Sequence, residues 1–196
     1  MKQKRSAAPI IRATHHVRIV GGRWKRTKLV VLNQPGLRPT PDRVRETLFN
    51  WLGQDLTGWR CVDVFAGTGA LGFEAASRGA QDVLLVEQDT TLVEQLTRIQ
   101  TQLQASATRI LRGDGVAALR QLDADSTDLV FLDPPFDSGL FEAVLQFAAR
   151  AVTTEGFVYL EAPTAWSDEL LAQVGLKRHR YCKAGAVHAH LLKRVD

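Results

Sequence analysis

From residue 60 onward the chain alternates short unbroken apolar runs with longer segments of helical composition, and this alternation limits the possible folds more than any other feature. The runs at 61–65, 83–87, 108–111, 129–132 and 157–160 are strand-length and show no polar alternation. A strand that is apolar on both faces must be covered on both, as in a parallel sheet sandwiched between helices. The expected class is therefore α/β, with a doubly wound, mostly parallel sheet. Two further runs, 176–183 and 186–193, flank Ala184-Gly185 and predict an antiparallel pair that finishes the sheet.

The first 53 residues read differently. Residues 1–16 mix Lys, Arg, Ser, Ala and Pro without periodicity and are expected to form a flexible basic arm. The β-prone runs 18–22 and 28–32 predict a small hairpin. Thr40-Pro41-Asp42 then opens a helix, with Thr40 as N-cap and Pro41 at the first helical position, while Val44, Leu48 and Trp51 repeat on one face and Gly53 stops it. The expected organisation is an arm (1–16), a hairpin-and-helix extension (17–53) and a main domain (54–196).

Charge follows the same division. Up to Arg45 there are 12 basic residues and one acidic; beyond it there are 13 basic and 20 acidic. A basic segment on an otherwise acidic domain is the footprint of a protein that approaches a phosphate backbone. Arg23, Trp24, Lys25 and Arg26 combine charge with an aromatic that can stack on an unpaired base, and Arg43 and Arg45 follow on the helix. No apolar run nears the roughly 18 residues of a membrane span, and no apolar signal core follows the basic start, so a cytoplasmic protein without membrane contact is expected. Cys61 and Cys182 lack disulfide or zinc spacing, and His188-x-His190 lacks a third ligand, so no metal is expected.

Asp63-Val-Phe-Ala-Gly67-Thr-Gly69-Ala-Leu-Gly72 follows the first strand of the main domain and opens a helix, the position at which α/β sheets bind ligands. Glu87 ends the next strand, where a carboxylate can take both hydrogens of a ribose diol. The glycines and Glu87 alone fit a dinucleotide as well as S-adenosylmethionine. Asp63 favours the latter, because a carboxylate here attracts an ammonium and repels a pyrophosphate. Asp114, beyond the third strand, can accept from an adenine amino group, and Phe65 offers apolar surface.

Asp133-Pro134-Pro135-Phe136 follows the fourth strand, with its two prolines holding the loop extended. An exocyclic amine on a nucleobase conjugates its lone pair into the ring and is a poor nucleophile. If Asp133 and the Pro134 carbonyl each accept one N–H, the nitrogen moves toward tetrahedral geometry and its lone pair can face a methyl donor. Phe136 would stack on the base, which must be turned out of its helix to arrive.

In this order the motifs resemble the class I methyltransferases that modify exocyclic amines. With Arg18-Ile-Val-Gly-Gly, the 36–52 block containing Arg38-Pro-Thr-Pro-Asp-Arg-Val-Arg-Glu, and 65–72, the chain more closely resembles the bacterial RsmD-type 16S rRNA guanine-N2 methyltransferases. The resemblance runs from about residue 17 to the C-terminus. It implies a seven-stranded sheet, S-adenosylmethionine as donor, and a guanine amino group of 16S rRNA as acceptor, within an assembled or partly assembled 30S subunit, the enzyme acting as a monomer. It also places the block around Thr40 beside the cofactor loop, closing over the cofactor and meeting RNA through Arg43 or Arg45. Three other functions compete: an adenine-N6 DNA methyltransferase, a non-catalytic RNA-binding module on the same fold, and a nicotinamide oxidoreductase. The first normally carries an added recognition domain, for which this chain has no room. The second would tolerate loss of Asp133 or the glycines, and the third has no use for Asp133.

Overall fold

The computed structural model describes residues 15–31 and 40–195. Residues 1–14 of the arm and residues 32–39, from the end of the predicted second hairpin run into the Arg38 block, lie outside the described residues. Strands β1 (His15–Arg18) and β2 (Lys28–Val31) form an antiparallel hairpin, and α1 (Asp42–Trp51) precedes the main sheet. Then come β3 (Arg60–Asp63), α2 (Ala70–Ser77), β4 (Asp82–Glu87), α3 (Thr90–Leu103), β5 (Thr108–Arg112), α4 (Gly115–Gln121) and β6 (Thr127–Leu132). They are followed by α5 (Phe141–Ala151), β7 (Val152–Ala162), α6 (Asp168–Gln173), β8 (Leu176–Ala184) and β9 (Val187–Arg194).

The seven-stranded sheet runs β5-β4-β3-β6-β7-β9-β8. The five strands β3 to β7 are mutually parallel, and β9 and β8 close the sheet antiparallel, as expected. Chain order reverses between β3 and β6, so a crevice opens beyond their carboxyl ends. One core packs on each face. Cys61, Leu85, Phe131, Tyr159 and Leu191 point to the first; Val62, Val130, Leu132, Val158 and Leu160 point to the second.

The hairpin and α1 belong to the first core. Val17, Ile19 and Leu29 are buried beside Val44, Leu48, Phe49 and Leu52 of the α1 segment, each large side chain contributing about 1.5–3 kcal/mol by leaving water. The first strand lies a few residues earlier than expected: β1 covers His15 and His16, which the sequence assigns to the arm, and stops at Arg18. The cause lies downstream. The amides of Val20 and Gly21 leave the ladder to donate to the Glu74 carboxylate of α2, at 2.8 and 2.7 Å. Gly22, at φ +70°, lies so close to α2 that a Cβ there would sit 1.9 Å from the Ser77 carbonyl oxygen.

Glu74 is fully buried and also accepts from Arg45 Nη1 (3.2 Å) and Arg78 Nε (2.9 Å). Arg45 in turn donates to Asp42 (2.6 Å) and to the Thr40 carbonyl (3.3 Å). One carboxylate thus ties the hairpin, α1 and α2 together and fixes where Thr40 stands. Two expectations are corrected by this network. Arg45, with 0% exposure, is spent on the interior and is not an RNA-facing residue. Thr40 is not the N-cap either; Pro41 occupies that position without a side-chain cap, and the Thr40 hydroxyl is bonded to Glu161 instead.

Candidate active site

Each of the five parallel strands delivers a carboxylate to the same edge of the sheet. Asp63 ends β3, Glu87 ends β4, Asp114 caps α4 just after β5, Asp133 follows β6 and Glu161 lies near the end of β7. All five line one cleft of about 840 Å³, together with Thr40, Phe65, Gly67, Pro134, Pro135 and Phe136. This is the size of a small-molecule site. Gly69 is not among the lining residues. Its φ of +77° makes the turn into α2, and a Cβ there would come within 2.6 Å of Leu96 and Phe73.

The loop's hydrogen bonds show which kind of ligand it suits. An anion-binding glycine loop presents free amides at the helix start. Here the Gly67 amide donates to Glu87 (2.9 Å) and the Gly72 amide to Asp63 (2.9 Å). A pyrophosphate would therefore meet two carboxylates, whereas a ligand carrying an ammonium and a ribose diol would meet partners. The Asp114 side chain likewise spends one oxygen on the Ala117 amide (2.7 Å) while lining the cleft. Capping and ligand lining coexist in these residues.

Burial, opposed by the Gly72 amide and reinforced by the charges of Glu87 and Glu161, pushes the Asp63 carboxyl up to about 7. Burial also raises Asp133 well above the usual carboxylate range, with Glu161 and Asp63 adding to the effect. Glu161 is raised by burial, and hydrogen bonds from Thr40 and Tyr159 and the charge of Arg45 oppose the shift. The Tyr159 hydroxyl donates to Glu161 Oε1 at 2.9 Å. A cationic ligand placed among these groups would favour their ionised forms.

Asp133 is half-buried, Pro134 is buried, and Phe136 is 39% exposed. The aromatic ring is thus open to an incoming planar group. Arg43 is exposed on α1, close enough to Cys182 of β8 to act on its thiol. Arg23, Lys25 and Arg26 are exposed in the β1–β2 connection, with Trp24 half-buried against the core. That connection bonds to Ser77, the last residue of α2, so it lies about 12 Å along the helix from the cofactor loop. His188 bonds to the Tyr181 hydroxyl (2.7 Å), and buried His190 accepts from the Trp166 amide (3.1 Å).

Glu161 was not expected from the sequence. The apolar run of its strand stops at Leu160, and the regularity that reveals it, one carboxylate per parallel strand end, becomes visible only when all five strands are aligned by register.

Residues 17–193 match the family described as conserved hypothetical protein 95, the RsmD family of methyltransferases. The chain belongs to this family. Among RsmD relatives, the ribosomal RNA small subunit methyltransferase D of Escherichia coli K12 is 38% identical over 189 residues, covering 91% of this chain and 90% of that protein. Its namesake from Haemophilus influenzae is 44% identical over 136 residues, covering 68% and 70%. A solved structure from Escherichia coli, provisionally assigned as a methyltransferase, superposes with a TM-score of 0.77 at 34% identity, covering 92% of this chain and 98% of that one. The protein is thus an RsmD-type methyltransferase, and the expected fold and enzyme class hold.

Proposed function

We propose that the protein transfers a methyl group from S-adenosylmethionine to the N2 amine of a guanine in 16S rRNA, acting as a monomer in the cytoplasm on assembled or partly assembled 30S subunits. The observation that carries this reading is Asp133-Pro134-Pro135-Phe136 standing at the strand-order reversal, beside a cleft whose loop amides are already held by carboxylates. The family's relatives named for small-subunit rRNA support the polymer, and they favour it over duplex DNA.

The residues present fit the cofactor. Asp63 would hold its ammonium, Glu87 the ribose diol and Asp114 the adenine amine, with Phe65 supplying apolar surface, Gly67 and Gly69 shaping the loop, and Thr40 closing the far wall. When bound, the cofactor supplies an already activated methyl group. Asp133 and the Pro134 carbonyl accept the two N–H bonds of the guanine amine and direct its lone pair at that methyl. Once the amine has taken that methyl, its surplus proton would pass to Asp133, whose raised pKa suits it to receive it. Phe136 stacks on the flipped base. Arg23, Trp24, Lys25, Arg26 and Arg43 provide RNA contacts outside the cleft.

The test is incubation with labelled S-adenosylmethionine and, separately, small subunits, naked 16S rRNA and duplex DNA. Label on small subunits or rRNA is expected; label on DNA alone would overturn the assignment.

A further inference from the structure

The loop chemistry described above serves an adenine N6 amine as well as a guanine N2 amine, so something else in the cleft must choose between the bases. We propose that Glu161 makes that choice by accepting the N1–H of guanine. This rests on the guanine reading and deepens it.

The placement follows from strand register. β6 and β7 are parallel neighbours in which Phe131 pairs with Tyr159 and Leu132 with Leu160. Side chains alternate between faces, so carrying the register one residue past the end of β6 brings Asp133 beside Glu161 on the face of Phe131 and Tyr159, near the roughly 4.8 Å spacing of adjacent strands. Both line the cleft. On guanine, N1–H and the N2 amine are donors on adjacent positions of one edge. Two neighbouring acceptors can therefore engage that edge together, Asp133 at N2 and Glu161 at N1.

Adenine presents the opposite polarity at N1, a bare acceptor lone pair. Set against Glu161, it would bring two acceptors face to face in a buried site with no hydrogen between them, the kind of mismatch that rejects an analogue most strongly. The side chain is also preorganised. It is 3% exposed, and Tyr159 and Thr40 hold it by hydrogen bonds. Thr40 is held in turn through the Arg45 bond to its carbonyl. The buried Arg45–Glu74 network thus ends at the group that reads the base.

The experiment compares target guanine with 2-aminopurine placed at the same position in the small-subunit RNA. 2-Aminopurine keeps the exocyclic 2-amine but has no N1–H. The wild-type enzyme should favour guanine in kcat/KM by about 100-fold or more. In Glu161→Gln, the amide oxygen can keep the Tyr159 bond and turn its NH2 toward the base, so the preference should fall below about tenfold. The O6 that 2-aminopurine also lacks affects both enzymes alike and cancels in the comparison. An unchanged guanine preference in Glu161→Gln, with cofactor affinity intact, overturns the proposal. Equal transfer to both bases by wild type alone also overturns it, whether or not the variant folds. Absence of transfer to guanine by wild type would instead refute the guanine reading, and this inference with it.

Discussion

Replacing Glu74 with alanine should be among the most destabilising single changes in the extension, although the residue touches neither the cleft nor the RNA-facing residues. Four donors converge on its carboxylate: the amides of Val20 and Gly21 and the guanidinium groups of Arg45 and Arg78. At roughly 1.5–3 kcal/mol for each bond to a charged group, the gross loss is about 6–12 kcal/mol. The net loss is smaller, because Arg45 keeps Asp42 and the Thr40 carbonyl, and Arg78 keeps Gln54. Breaking a buried ion pair costs about 3–5 kcal/mol, which is the expected value. For a chain of this length that lowers the melting temperature by roughly 6–20 °C. The assay is thermal and urea unfolding followed by far-ultraviolet circular dichroism. A double variant, Arg45→Met with Glu74→Leu, removes both charges and should lose less than the sum of its single changes. A shift of under about 2 °C for Glu74→Ala would refute the view that this carboxylate fastens the hairpin to the main sheet.

Three further outcomes are expected. Asp63 has a carboxyl raised to about 7, and a ligand ammonium favours its ionised form, so affinity for S-adenosylmethionine should rise with pH through about 7 and then level off, with proton release on binding below that pH. The same raised pKa means that ionising Asp63 costs folding stability between the ordinary carboxylate range and pH 7. Calorimetry of Asp63→Asn should therefore show weaker cofactor binding with a reduced pH dependence through about 7, together with a higher melting temperature above pH 7. Asp133→Ala should leave cofactor affinity nearly unchanged while lowering turnover by about two to three orders of magnitude, the scale of one lost preorganised partner, and unchanged turnover in a single-turnover assay would sink the mechanism. Neutralising Arg23, Lys25 and Arg26 together should reduce the salt dependence of RNA binding by roughly 0.7 to 0.9 log units per lost phosphate contact; an unaltered slope would mean these side chains are merely solvated.

The parts of the fold legible in the sequence are those set by local pattern. Strands covered on both faces of a parallel sheet must be largely apolar, so β4, β6 and the 157–160 stretch of β7 announce themselves more clearly than the edge strand β5 with its two arginines, and the glycine at 185 marks the turn between β8 and β9. The glycine loop and the Asp-Pro-Pro-Phe loop were legible for the same reason, since each is contiguous and follows a strand. Arg45 and Glu161 were not. An arginine on an amphipathic helix reads as a solvent-facing charge, and its burial depends on Glu74, 29 positions away, which no local period reveals. Glu161 becomes a site residue through register with β6, a long-range pairing. The early end of β1 has the same origin, because the amides of Val20 and Gly21 are drawn off by a carboxylate 54 and 53 residues downstream.

The central claim concerns one atom of one base, and it is tested by digesting small-subunit RNA to nucleosides after incubation with the protein and labelled S-adenosylmethionine. Label recovered as N2-methylguanosine, and lost with Asp133→Ala, is the predicted result. Label recovered as N6-methyladenosine, or as N2-methylguanosine at an undiminished rate with Asp133→Ala, would contradict the account.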